Sequence, residues 1–250
     1  MSDGKKLNST FGHPVIPLSN CLLPTNCQGS LLIIGSGCHH LPSEIIWGGD
    51  IIVFCEDDTQ RNVVHDMASD SNKAIQTPDD PWDSSSLHLE DKQAAGAILL
   101  PFGPLPEPAE LKRVIAEDGF ILSLDQQRWP SSGPDTLCWT VHHDAEGDLR
   151  LIDYNNGQAL AASRQQLKRR WRLIPRVLLK KFMPPRICLS SQGPATTRLS
   201  AMLAEASALL PDESYESTLV QVKDKLTVPL TQHGQRKHIL KIPLDRKSVV

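Results

Sequence analysis

No hydrophobic run in the chain is long enough to cross a bilayer: aliphatic stretches such as Leu31–Ile34 fall far short of the roughly 20 residues a spanning helix needs. The N-terminus, Met-Ser-Asp-Gly-Lys-Lys, has neither the apolar stretch nor the small-residue cleavage site of a secretory signal, so the cytoplasm is the expected compartment. The six cysteines, Cys21, Cys27, Cys38, Cys55, Cys138 and Cys188, lack paired short spacing, and a reducing compartment fits them best. No internal repeat is visible.

What remains is the composition of an ordinary soluble chain, 40% hydrophobic and 22% charged over 250 residues. That length makes one to two domains and buries a sizeable core without disulfide or metal help. The net charge of −3 hides a split. Residues 1–160 carry nine Lys/Arg against 23 Asp/Glu, and residues 161–250 carry 17 against six. Arg164 to Arg186 holds nine of those cations and no acid. Such a segment suits an acidic carrier protein or a peptide substrate, and less readily a nucleic acid; it also suits packing against the acidic first part of the chain.

Along the chain, residues 1–19 read as an extended arm. Leu31–Ile34, ending in Gly35-Ser36-Gly37, reads either as a strand before a glycine turn or as a buried helix that starts near Asn26 and places Cys27 in its first turn. Ile51–Cys55 predicts a buried strand, with a helix after it capped by Asp58 or Thr59. Residues 69–92 read as a long loop, and Ala97–Leu100 as a strand. Pro106–Glu117 predicts a helix stopped by Gly119, and Phe120–Leu124 a strand after it. Leu137–His143 and Leu149–Asp153 predict a hairpin. A short strand follows at Gln158–Ala162, then a helix from Ser163. Thr197–Leu210 predicts a helix, and Leu219–Val228 and His238–Ile242 predict strands.

The segment from Glu110 to Asp125, continued through Cys138-Trp-Thr-Val, Leu151-Ile-Asp-Tyr-Asn-Asn-Gly157 and Leu167-Lys-Arg-Arg-Trp171, resembles the second half of papain-like cysteine domains of the bacteriocin-leader-processing peptidase type. Upstream, Asn26-Cys27-Gln-Gly-Ser-Leu-Leu and Leu41-Pro-Ser-Glu-Ile-Ile-Trp-Gly48 resemble the opening of the butirosin-H type acyltransferase domain. The resemblance implies an α+β papain-like fold over residues 20–172, with a basic α/β extension over 173–250. It implies acyl transfer or peptide cleavage through a Cys27 thioester, without a cofactor. Cys27 would be the nucleophile, Asp153 the orienting acid, and His142 or His143 the base. A thiolate at a helix N-terminus with a histidine to hold its proton is what that chemistry needs. Here the family's histidine position falls on Leu137 or Cys138, which adds a catalytically inactive relative to the readings.

A second set of residues competes. Gly35 and Gly37 follow an apolar run, and Glu56 stands 19 residues after Gly37 at the end of the Ile51–Cys55 stretch. Glycines for close backbone approach and an acid for ribose hydroxyls are what a dinucleotide- or S-adenosylmethionine-binding unit uses. On this alternative the chain is an α/β Rossmann-like methyltransferase with S-adenosylmethionine as cofactor, and Ala97–Pro104 is its fourth strand, bearing catalytic or substrate-facing residues at Pro101-Phe102-Gly103. Three departures are visible: the third glycine is missing, Ile33 stands where an acid is usual, and residues 39–50 with Pro42 are cramped for a crossover helix. No cluster has the spacing of metal ligands. A non-catalytic interaction or scaffold protein is the third reading.

Overall fold

Leu31, Leu32, Ile33 and Ile34 are all fully buried, and a run buried on both faces is what a central strand of a parallel sheet requires. The computed structural model describes residues 20, 22–25, 27–43, 45–70, 74–78, 82–100, 103–124, 136–143, 149–153, 186–191, 197–208, 219–222, 225–232 and 235–243. In it β1 (Ser30–Ile34) lies between β2 (Ile51–Phe54) and β4 (Ala94–Leu99), parallel to both. β3 (Ile75–Gln76) adds outside β2, and β5 (Ile115–Leu124) adds outside β4, each parallel to its neighbour. The parallel half therefore runs β3-β2-β1-β4-β5. This is the strand order of a Rossmann-like half, with its switch point at β1 and β4.

The rest of the sheet is antiparallel. β6 (Thr136–His143) and β7 (Leu149–Asp153) form the predicted hairpin, with Trp139 opposite Asp153. β8 (Arg186–Ser191) inserts between β5 and β6, and β9 (Leu219–Val222), β10 (Lys225–Gln232) and β11 (Gln235–Pro243) extend the sheet beyond β7. The single strand expected over Leu219–Val228 is two, because the chain reverses between Val222 and Lys225 and pairs Val222 with Leu226.

Alternation along the strands feeds two cores. Leu31, Ile33, Ile51, Val53, Ile98, Phe120 and Leu122 face one side, where Leu22, Leu23 and Val64 of α1 (Asp58–Asp70) and Leu199 of α3 (Arg198–Ala208) cover them. Leu32, Ile34, Ile52, Phe54, Ala97 and Leu99 face the other, under Leu111 and Val114 of α2 (Pro108–Val114) and Leu87. Helices on both faces of a parallel sheet make this an α/β fold. The papain-like α+β expectation is thus corrected: a four-residue apolar run between turns has no length or periodicity to separate helix from strand, and here it is the central strand.

Two further expectations change. The helix expected to reach Glu117 stops at Val114, where Ile115 turns to extended backbone (φ −83°, ψ 136°) and its N–H still bonds Leu111 O. Gly119 is not its cap. It lies in β5 within a bulge, where Ala94 pairs Ile115 but Gly96 already pairs Phe120. Cys138 and Cys188, directly opposite across β6 and β8, are joined as a disulfide, which the scattered spacing of the cysteines did not foreshadow. Among the described residues no helix is long and apolar enough to cross a membrane. The strand expected at Gln158–Ala162, the helix from Ser163 and, apart from Arg186, the basic segment from Arg164 lie outside the described residues.

Within residues 69–92, read from sequence as a long loop, Leu87–Asp91 is held to α2 by one buried carboxylate and its arginine. Glu110 accepts Leu87 N–H (2.8 Å), Arg113 Nε (2.8 Å) and Arg113 Nη2 (2.7 Å), while Arg113 Nη1 reaches Leu89 O and Asp91. The Arg113 guanidinium, above all, holds the Glu110 carboxyl below its ordinary range. A depressed carboxylate contributes stability that is complete above its unfolded pKa of about 4.3 and is lost as pH falls through the folded value. Glu110→Gln should therefore cost about 1.5–3 kcal/mol at neutral pH, with the gap to the parent closing in acid, as urea titrations at several pH values will show. The Phe120 ring lies where a Cβ on Gly96 would sit. Gly96→Ala should destabilise by about 1–3 kcal/mol, and Phe120→Leu in the same chain should recover part of it in a double-mutant cycle.

Candidate functional site

At the C-terminal ends of the parallel strands three segments converge. The first is the turn after β1, where Gly35 (φ 114°) and Gly37 (φ 80°) take backbone conformations that L side chains rarely adopt. Its bonds are local: Cys38 N–H to Gly35 O (3.2 Å) and His40 N–H to Gly37 O (3.2 Å), opening a single 3-10 turn over Cys38–His40.

The second is Glu56, just past β2. Its position follows from the start of α1. Asp57 Oδ1 accepts Gln60 N–H (2.8 Å), and the Gln60 side chain accepts Glu56 N–H (3.2 Å), a reciprocal arrangement close to a capping box. The cap is therefore Asp57, one residue before the two that the sequence suggested. Ser36 Oγ then donates to Glu56 Oε1 at 2.7 Å, tying the glycine turn to the acid.

The third segment follows β4. Leu100 N–H bonds Ile34 O (2.8 Å), carrying the β1–β4 ladder one residue beyond the strand. Gly103 (φ 90°) then approaches so closely that a Cβ there would run into Glu56 Oε1 and Ser36. Gly35, Gly37 and Glu56 are thus brought together with Ser36 and Gly103. Sequence reasoning named the Gly103 segment but missed Ser36 as the link, for which the only signal was a hydroxyl between two glycines.

Among the described residues the crossover from β1 to β2 has no α-helix, in keeping with the cramped 39–50 stretch. Leu41, Ile45 and Trp47 fill its place in the core, and the segment is tied down by Trp47 Nε1 to Gly29 O (2.8 Å), Ile46 N–H to Asn20 Oδ1 (2.7 Å) and Arg198 Nη2 to Ile46 O (2.9 Å).

The other candidate set is scattered. Cys27 precedes β1 outside any regular element, not in the first turn of a helix, and its Sγ lies 3.9 Å from Asp118 O. That is the N-terminal edge of the parallel strands. Asp153 pairs Trp139, which pairs Ile187, which pairs Leu124 at the far end of β5. His142 and His143 lie further along β6, opposite Arg150 and Leu149. From Asp118 to Leu124 alone is about 20 Å of strand at about 3.3 Å per residue, so Cys27 does not meet His142, His143 or Asp153.

No protein-family model and no curated protein matches the chain. Solved structures do. The chain is similar to an S-adenosylmethionine-dependent methyltransferase from Aquifex aeolicus, at 16% identity over 54% of this chain and 79% of that one, with a TM-score of 0.36. A second, from Methanosarcina mazei, gives 15% identity over 52% and 71%, with a TM-score of 0.32. Geranyl diphosphate C-methyltransferase from Streptomyces coelicolor A3(2) gives 7% identity over 76% and 79%, with a TM-score of 0.38. These are methyltransferases and not papain-like cysteine domains. The parallel strand order, with Cys27 far from His142, His143 and Asp153, corrects the resemblance to peptidases and acyltransferases.

Burial, and after it the charge of Asp118, pushes the Cys27 thiol above its ordinary pKa. Iodoacetamide should accordingly label Cys27 slowly, with an apparent pKa above the usual thiol value of about 8.5 when the rate is followed from pH 6 to 10.

Proposed function

We propose that the chain binds S-adenosylmethionine at the C-terminal edge of β1, β2 and β4, and acts as a Rossmann-like methyltransferase. The observation that carries this reading is the Ser36–Glu56 hydrogen bond, which joins the glycine turn to the acid at the topological switch point where open α/β sheets take their ligands. The residues fit the nucleoside half of the cofactor. Gly35 and Gly37 present backbone without side chains, so a ligand can approach the turn closely. Glu56, fixed in orientation by Ser36 and in backbone position by Gln60, offers carboxylate lone pairs suited to vicinal ribose hydroxyls. Gly103 closes over the same acid, where any side chain would displace it. The bound cofactor would supply an electrophilic methyl group on a sulfonium.

A second reading is favoured by Ile33, fully buried where an acid is usual. It is a chain that keeps the nucleoside site without transferring a methyl group. The two readings part on the cofactor's amino-acid end, which the second leaves without recognition.

Calorimetric titration with S-adenosylmethionine, S-adenosylhomocysteine and methylthioadenosine tests both. Saturable binding of the full cofactor is expected, weakened about 10- to 100-fold by Glu56→Ala, as loss of charge-assisted bonds worth about 1.5–3 kcal/mol requires. Equal affinity for methylthioadenosine selects the second reading. No saturable binding of any of the three by the folded parent chain overturns both.

A further inference from the structure

Two thiols that the proposed site does not use flank it. Cys38 is the residue after Gly37, and Cys55 is the residue before Glu56. Both are free and buried, Cys38 fully and Cys55 to 7% exposure. The Cys38 Sγ donates to Phe54 O at 3.2 Å, the carbonyl joined to Cys55 N, so the two thiols share one corner of the same buried core. They are 17 positions apart in sequence and meet only because β1 and β2 are adjacent parallel strands whose exits carry one thiol each.

We propose that Cys38 and Cys55 are an oxidative modification site, a thiol pair that a peroxide converts to a disulfide tying the glycine turn to the end of β2. Cys55 is the residue that reacts first. It has the only exposure of the two, and the Cys38 thiol beside it, followed by the Arg61 charge, favours its thiolate against burial and Asp57. Cys38, whose S–H donates to Phe54 O and which lies in the drier position, keeps its proton. The Arg61 Nε next to this corner is buried without a hydrogen-bond partner among the described residues.

The Cys55 thiolate attacks one oxygen of the peroxide. The O–O bond breaks, hydroxide leaves, and Cys55 becomes a sulfenic acid. The Cys38 sulfur then displaces that hydroxyl as water, giving the disulfide, and the hydroxide takes up the remaining proton. Two thiols are oxidised by two electrons and one hydrogen peroxide becomes two waters. A disulfide bond of about 2.05 Å draws the two sulfurs together. Cys38, whose N–H is held by Gly35 O, moves with its sulfur, and the turn shifts against Glu56. A fall in cofactor affinity on oxidation is the consequence, and this part rests on the S-adenosylmethionine reading.

The test is peptide mapping of the folded parent chain after hydrogen peroxide, with alkylation of the remaining thiols. No Lys or Arg lies between Lys6 and Arg61, so trypsin leaves both cysteines in one peptide, and cleavage after Glu44 separates them. A Cys38–Cys55 linked pair that grows with peroxide and disappears with dithiothreitol is expected. Cys38→Ser should stop at a sulfenic acid on Cys55 that dimedone traps. Both thiols still fully alkylated after peroxide and denaturation, or oxidation at Cys27 alone, overturns the site. Titration of oxidised and reduced chain with S-adenosylmethionine then reads the coupling: at least a tenfold loss of affinity, restored by dithiothreitol, is expected, and equal affinities overturn it. A linked pair in a chain that binds no cofactor even when reduced defeats the cofactor reading and the coupling, and leaves the modification site standing.

Discussion

The structure depends on β1 being hydrogen-bonded on both sides. Its four consecutive buried aliphatics satisfy their backbone groups through β2 and β4 in parallel register, from Leu31 opposite Ile51 and Gly96 to Ile34 opposite Phe54 and Leu99. An unpaired backbone group in that position costs about 1–3 kcal/mol, so neither neighbour is dispensable. Because all three strands run the same way, all three exits open on the same edge. The glycine turn, the acid and the Gly103 segment are neighbours for that reason alone.

Packing on the two faces follows from the same strand. Leu31 and Ile33 look into one core, and Leu32 and Ile34 into the other. A one-residue slip of register would exchange the faces, which the helices on either side oppose. Where a crossover helix is usual between β1 and β2, three apolar side chains on an irregular segment cover the sheet instead, fixed by hydrogen bonds from the Trp47 indole and Arg198. The turn after β1 therefore lacks a full helix N-terminus behind it, and the acid after β2 is held through its backbone by Gln60 and through its carboxylate by Ser36.

Much of this was legible in the sequence, element by element. Ile51–Phe54, the helix after it, the Leu137–Asp153 hairpin and the second helix declare themselves through apolar runs, alternation and turn residues. Leu31–Ile34 did not, because four aliphatics carry no period, and the choice between helix and strand there decided the whole fold. The hairpin compounded the error: a hairpin ending in Asp before an Asn-Gly turn serves a cysteine-protease triad and an antiparallel sheet extension equally well. The spacing of Gly37 and Glu56 put a glycine turn and an acid at the exits of two strands, and the structure brings them together through Ser36. Nothing local announced that Ser36 would bond Glu56, that Gly119 would sit in a bulge, or that Cys138 would face Cys188. Each depends on register between strands distant in sequence.

The position of β8 bears on how such a chain reaches its native state. Among the described strands, the β6–β7 hairpin meets the parallel half only through β8, which is synthesised more than 30 residues after the hairpin closes. Until that strand arrives, β5 and β6 both present open edges, and edges of that kind pair with other chains when left waiting. Loop closure over that distance precedes any reward from the contacts, so docking of β8 is suited to be the slow step, with the two halves of the sheet assembling first and separately.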